Sequence, residues 1–336
     1  MRRKIPIIHI EKRHCMCYTE LKVFDMKIKN INLKNEYALA PMAGFTDKAM
    51  RILCKENGAG LLVSEMVSAR GIYYNDKKTK LLMEFCEYER PFSVQLFCNE
   101  PHIMAYAAAF CEQLGVDMID INMGCPMPKI VNNGDGSALM KNPLLAGKLV
   151  EAAVKEVKIP ISVKMRLGWD EKNKNCIELA RICEQNGASF ISVHGRTREG
   201  MYSAPIDYET ISKVVEAVKI SVFGNGNICD VESAEKMRRT GCAGLMIGRA
   251  AIGNPFVFKT VKDGFEPTVQ DKLDMALRHF KLLCEFKGEN IAVKEIRPHI
   301  AAYLKGIKNS HIVKCKIFET QNAKEIEDIL QSIGKD

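Results

Sequence analysis

The sequence predicts a (β/α)8 barrel followed by an all-helical domain. Three observations carry this expectation. Eight short apolar segments recur between residues 37 and 247. Helical patterns of period 3.6 lie between them, as at Ala146, Leu149, Val150 and Ala153. After Pro255 the strand signal stops and only amphipathic helical faces remain.

Residues 1–25 show no barrel pattern and read as an N-terminal extension. Met26 opens a run that leads straight into the first strand. Strands are expected at Tyr37–Ala40, Gly60–Val63, Phe92–Leu96, Met118–Asn122, Ile161–Lys164, Phe190–His194, Ser221–Gly224 and Gly244–Ile247. Each is a continuous apolar run rather than an alternating one, as strands covered on both faces should be. Eight β-then-α units in residues 26–255 suit a closed barrel better than an open doubly wound sheet. A dinucleotide-binding open sheet would carry G-x-G-x-x-G after an early strand, and none is present. The helical domain is placed at residues 256–336. Leu273, Ala276, Leu277, Phe280 and Leu283 form one face. Val293, Ile296, Ile300, Tyr303 and Leu304 form a second, stopped by Gly306. Ile326, Ile329, Leu330 and Ile333 form a third.

Composition bounds the rest. With 336 residues, 47% of them hydrophobic, the chain can bury a sizeable core. Its net charge of +8 permits a polyanionic partner without requiring one. Thirteen cysteines form an odd set with no framework spacing, which points to a reducing environment. The one tight cluster, His14-Cys15-Met16-Cys17, is poorly spaced for zinc, so no metal is expected. No apolar run approaches the ~18 residues of a membrane span. Arg2, Arg3 and Lys4 precede only Ile5–Ile10, interrupted by Pro6 and His9, which is too short for a signal peptide. A cytoplasmic monomer without membrane contact is the expectation.

Chemistry is expected where the strands end, because the C-terminal mouth is where barrels of this kind act. The fourth strand runs into Asp120-Ile-Asn-Met-Gly-Cys-Pro126, placing Asn122 and Cys125 at the mouth. A thiol there can donate a proton or attack a substrate, although a half-buried turn cysteine would look the same. The first strand contributes Pro41, Met42 and Ala43, and the third Gln95. The fifth contributes Lys164 and Arg166, and the sixth His194 and Arg196. After the seventh come Asn225, Gly226 and Asn227; after the eighth, Gly248 and Arg249. Gly-rich loops at the last two strands commonly hold a phosphate on backbone N–H groups. Such a cup, with Lys164 and Gln95 nearby, suits flavin mononucleotide (FMN).

At these residues the chain resembles the bacterial tRNA-dihydrouridine synthases of the DusB type. The matching segments include A-P-M-A-G-F-T-D (40–47), S-E-M-V-S-A-R-G (64–71), D-I-N-M-G-C-P-M-P-K-I-V (120–131) and G-D-G-S-A-L-M (134–140). They continue with V-K-M-R-L-G-W (163–169), V-H-G-R-T-R (193–198), F-G-N-G-N-I (223–228), M-I-G-R-A-A-I-G-N-P (246–255) and E-I-R-P-H-I-A-A-Y-L-K-G (295–306). The resemblance runs from about Met26 to the end; the 25-residue extension departs from it. It implies an FMN enzyme that reduces a uridine in tRNA, with NADPH or NADH recharging the flavin. Pro41, Met42 and Ala43 would border the flavin ring, and Gln95, Lys164 and His194 would contact it. Asn225, Gly226, Asn227, Gly248 and Arg249 would hold its phosphate. Asn122 would orient the uracil and Cys125 would be the general acid. Contacts to tRNA are expected from Arg166, Arg196, Arg198, Lys294, Arg297, Lys305 and Lys308, although the tail cations would equally suit a solvated helix face.

Two other readings use the same residues. A small-molecule flavin dehydrogenase acting on dihydropyrimidines or dihydroorotate would share the barrel, flavin and thiol. The basic tail and the H-G-R-T-R pattern weigh against it. A non-catalytic tRNA chaperone would have no use for Cys125, Lys164 and His194 together.

Overall fold

The computed structural model describes residues 26–333. The extension at residues 1–25 and the His14–Cys17 cluster lie outside them. Met26 does not lead straight into the barrel. Strands β1 (Met26–Ile28) and β2 (Ile31–Leu33) first pair as an antiparallel hairpin. Its turn holds Lys29 at a φ of 51°. Met26, Ile28 and Leu33 are buried with Ala38, Leu61, Met118, Phe190, Phe223 and Met246 inside the barrel. The hairpin therefore packs against the barrel's interior layer.

Eight parallel strands then close a ring: β3 (Tyr37–Leu39), β4 (Leu61–Ser68), β5 (Phe92–Phe97), β6 (Met118–Met123), β7 (Ile161–Arg166), β8 (Phe190–His194), β9 (Ser221–Asn225) and β10 (Gly244–Ile247). Each pairs in parallel with its neighbours in sequence, and β10 pairs back onto β3. The (β/α)8 expectation holds. The strands are mainly apolar because helices cover them outside while side chains fill the centre, and polar residues such as Gln95, Asn122 and Lys164 come towards their C-terminal ends. The second barrel strand runs furthest past its expected end. It continues past Val63 through Ser64, Glu65 and Met66, with an irregular register against β5 between Val63 and Met66. Ser64 and Glu65 are buried polar residues that interrupt the apolar run.

The helix Val257–Asp263 differs from the expected boundary at residue 256. Its Val257, Phe258 and Val261 pack in the barrel's outer core, not with the tail. A closed barrel needs a helix after its eighth strand, and this is that helix. Four further helices follow: Val269–Lys287, Glu289–Tyr303, Ser310–Glu319 and Ala323–Ser332. Leu273, Phe280, Ile296, Ile300, Ile326 and Leu330 meet in a separate core, so all three expected apolar faces are used. The tail meets the barrel through the helix Lys48–Glu56, whose Ala49 is buried in the tail's core. Among the described residues no helix is long and apolar enough to cross a membrane.

Candidate active site

The strand ends converge on a cavity of about 860 Å³. Fourteen of the residues singled out from the sequence line it: Pro41, Met42, Ala43, Gln95, Asn122, Cys125, Lys164, Arg166, His194, Asn225, Gly226, Asn227, Gly248 and Arg249. Arg196, Arg198, Lys294, Arg297 and Lys305 do not.

One side of the cavity is a hydrogen-bonded chain of neighbouring strands. Ser162 Oγ donates to Asp120 Oδ1 at 2.6 Å. Gln95 Nε2 donates to Asp120 Oδ2 at 2.7 Å. Asn122 Nδ2 donates to Gln95 Oε1 at 2.8 Å. Burial pushes the Asp120 carboxyl up to about 6, against the lowering effect of Gln95, Ser162 and Lys164. Asn122 Oδ1 then accepts from the backbone N–H of Gly124 at 3.2 Å and of Cys125 at 2.9 Å. The amide of Asn122 thus fixes the start of the cysteine loop as a side-chain cap. Ser137 N donates to Cys125 O at 3.1 Å on the other side. Gly136, at a φ of +60°, lies so close that a Cβ there would stand 3.1 Å from Cys125 Cβ. Burial raises the Cys125 thiol above its ordinary range, and the weaker pull of Arg166 and Lys164 does not cancel this. The thiol is therefore protonated at neutral pH.

From Lys164, whose strand pairs with that of Asn122, the lining becomes cationic through the ends of β7, β8 and β10. Lys164 Nζ donates to Asn225 Oδ1 at 3.2 Å, and Asn225 Nδ2 donates to Met246 O at 2.6 Å. Burial, followed by the Arg166 charge, brings Lys164 down to about 8. His194 falls well below the usual imidazole range, first through burial and then through Lys164, Arg166, Arg196 and Arg249. It is held neutral. Arg249 donates to Asn227 Oδ1 at 2.9 Å, with its guanidinium 4.6 Å from the centre of the Tyr202 ring. Among the described residues, none of Lys164, Arg166, Arg196 or Arg249 takes part in a salt bridge. Gly226 turns the loop after β9 at a φ of 137°, where a Cβ would collide with Ile206.

Three of the arginines expected to contact tRNA make contacts within the protein. Arg166 Nε donates to Gly124 O at 2.8 Å, and its Nη1 donates to Thr197 O at 2.8 Å and Met201 O at 3.0 Å. It ties the loops after β6 and β8 together. Arg196 Nε donates to Ala204 O, and its Nη1 lies 3.4 Å from His194 Nε2. Arg198 stacks 4.6 Å above Trp169. On the tail, Lys294 and Lys305 are exposed, whereas half-buried Arg297 donates to Thr320 O at 3.0 Å.

A family model described as dihydrouridine synthase (Dus) matches residues 38–335. The chain belongs to this family. Its relatives include a probable tRNA-dihydrouridine synthase of Rickettsia bellii, 41% identical over 294 residues, which span 85% of this chain and 90% of the relative. The tRNA-dihydrouridine synthase B of Pseudomonas aeruginosa is 39% identical over 290 residues, 83% of this chain and 86% of that protein. Among solved structures, morphinone reductase has a TM-score of 0.54 at 14% identity, over 74% of this chain and 92% of its own. That last likeness is one of fold.

Sequence reasoning did not single out Tyr202, which the loop after β8 brings over Arg166 and Arg249. An aromatic residue in an irregular loop has no periodicity to give it away. It also passed over Glu65, whose carboxylate accepts from Gly44 N behind the first mouth loop. Asp120 was read as strand, although a carboxylate in an otherwise apolar run is itself a signal.

Proposed function

We propose that this dihydrouridine synthase reduces the C5–C6 bond of uridines in tRNA, with FMN as its cofactor and NADPH as reductant. The observation that carries this reading is one cavity that brings together two unlike groups. A protonated thiol stands beside a set of cations that take part in no salt bridge among the described residues. The cationic lining fits an anionic cofactor. The glycine turn after β9, with Gly248 and Arg249 after β10, offers a place for its phosphate. The cavity volume lies within the range of small-molecule sites, roughly 300–1,000 Å³. Pro41, Met42 and Ala43 would border the ring, and Gln95, Lys164 and His194 would meet its polar edge.

When bound, FMN recharged by NADPH supplies the hydride that uracil C6 requires. The chain's own residues do the rest. Lys164 offers positive charge where the cofactor gains electrons. His194, held neutral, adds polarity without a further full charge. Cys125 gives its proton to C5, where negative charge develops, and is reprotonated from solvent. Asn122, Ser137 and Arg166 hold the loop that aims the thiol. A uracil stacked in folded tRNA cannot reach this cavity, so the base must be extruded into it.

The test is to incubate the purified protein with FMN, NADPH and tRNA lacking dihydrouridine, then measure dihydrouridine. The expected result is nucleotide-specific formation that requires both FMN and NADPH. Turnover of free dihydroorotate or uracil with none of tRNA would replace this reading with the small-molecule dehydrogenase.

A further inference from the structure

A cluster of exposed rings sits on the mouth side of the barrel, outside the cavity. Five tyrosines are exposed among the described residues, Tyr73, Tyr74, Tyr88, Tyr106 and Tyr202, and Tyr73 touches two of the others. Tyr73 meets Tyr74 edge-on at 5.2 Å, Tyr106 at 5.1 Å and His102 at 6.1 Å. The helix Ala69–Tyr73 begins directly after β4, capped by Ser68. Tyr73 and Tyr74 therefore leave the barrel at its C-terminal end. His102 and Tyr106 lie in the first two turns of the helix Pro101–Gln113, just after β5.

The chain next to these rings is basic. Lys77 and Lys78 are exposed and in no salt bridge among the described residues. The adjacent carboxylate, Asp76, caps the helix Lys77–Leu81 through the N–H groups of Lys78 and Thr79. Flat amphipathic rings beside unpaired ammonium groups suit the bases and phosphates of an unpaired RNA strand.

The rim is also built onto the acid loop. Arg70, three residues before Tyr73, donates to Glu100 at 2.7 Å and to Asp135 at 2.9 Å, and also to Asn99. Asn99 Nδ2 donates to Asn133 O at 2.8 Å. Asp135 adjoins Gly136, which packs against Cys125. Arg70 thereby joins the loops after β4, β5 and β6.

We propose that Tyr73, Tyr74 and Tyr106, with Lys77 and Lys78, form a stacking platform for an unpaired segment of the RNA substrate. The platform holds that segment in a fixed place relative to Cys125. This inference rests on the tRNA reading above and adds the surface beyond the cavity.

The test measures tRNA affinity of the FMN-loaded enzyme separately from tRNA reduction. Tyr74→Ala and the pair Tyr73→Ala with Tyr106→Ala should each weaken tRNA binding about fivefold or more. Tyr74→Phe, which keeps the ring, should bind like the parent. Lys77→Ala with Lys78→Ala should flatten the slope of log affinity against log salt by roughly 1.4 units, about 0.7 for each lost contact to a single strand. NADPH oxidation without tRNA should not change in any of them. Unchanged affinity and salt slope in all variants would overturn the platform. So would a parent dimer that Tyr74→Ala converts to a monomer, which would assign the rings to a second copy of the chain. If the parent bound tRNA through these residues but made no dihydrouridine, the platform would stand and the reductase reading would fall.

Discussion

At the scale of single residues, everything turns on how Cys125 is held. Its thiol is buried enough to stay protonated beside two cations, which an acid requires and a nucleophile does not. With its pKa raised, the acid form persists through neutral pH and is lost only above the ordinary thiol value of 9.0. The ratio of the parent's single-turnover rate to that of Cys125→Ala, which cancels the titration of Lys164 at about 8, should therefore stay level from pH 7 to about 9 and decline above that; a ratio that climbs over this range would assign the work to the thiolate. Gly136→Ala should disturb the same loop without touching the cofactor side. The added methyl meets Cys125 O at 2.9 Å on backbone that disfavours any side chain. FMN binding should persist while tRNA reduction falls at least tenfold, and equal activity would show that the loop tolerates the shift. Residue identity at the mouth was legible in the sequence because each polar group follows an apolar strand. Residue partnership was not. A guanidinium reads as outward-facing charge, and nothing local announces that Arg166 ends on three backbone carbonyls.

At the scale of elements, the strands were legible because full burial leaves no alternation to disguise them. Two elements escaped for physical reasons. The hairpin at Met26–Leu33 has strands of three residues and a Lys29-Asn30 turn with no glycine to mark it. The helix Val257–Asp263 follows Pro255, which looked like the end of the barrel but only separates β10 from its own helix. The helix Lys48–Glu56 shows how one element is pinned. Arg51 is buried, pairs with the fully buried Glu89 at 2.6 Å, and donates to Thr46 O at 3.1 Å and Glu84 O at 2.6 Å. Arg51→Ala should destabilise the protein by about 3–5 kcal/mol in urea titrations, because Glu89 is left as an unpaired buried charge. Adding Glu89→Gln to that variant should recover part of the loss, and no recovery would mean that packing, not charge, was lost.

At the scale of the whole molecule, the barrel and the tail share a seam beside the first mouth loop. Gly253 N donates to His299 Nδ1 at 3.3 Å, and Phe45 meets the His299 ring edge-on at 5.5 Å. His279 lies 4.4 Å from His299 and bonds to Tyr303 at 3.2 Å, while Lys287 bridges to Asp47 at 2.8 Å. Burial brings His279 down to about 3 and His299 to about 4. Unfolded histidines bind protons near 6.5 while these two stay neutral, so stability should fall as pH drops from about 6.5 towards 4. The Asp47–Lys287 pair contributes its stability throughout that window and loses it only below, because Asp47 is held under 3.8. Melting temperatures of His279→Gln should decline less steeply than those of the parent between pH 7 and 5; parallel declines would exclude His279 as a source. The central claim is that Cys125 protonates the uracil after the cofactor has been reduced. Its most direct test is single-turnover oxidation of prereduced enzyme by tRNA, comparing the parent with Cys125→Ala and following flavin colour and dihydrouridine together. The parent should form dihydrouridine in step with flavin oxidation, while Cys125→Ala should bind FMN and accept electrons from NADPH normally yet react with tRNA about 10²–10⁴-fold more slowly. A colourless parent that FMN cannot reconstitute, or a Cys125→Ala variant slowed by less than about tenfold, would contradict it.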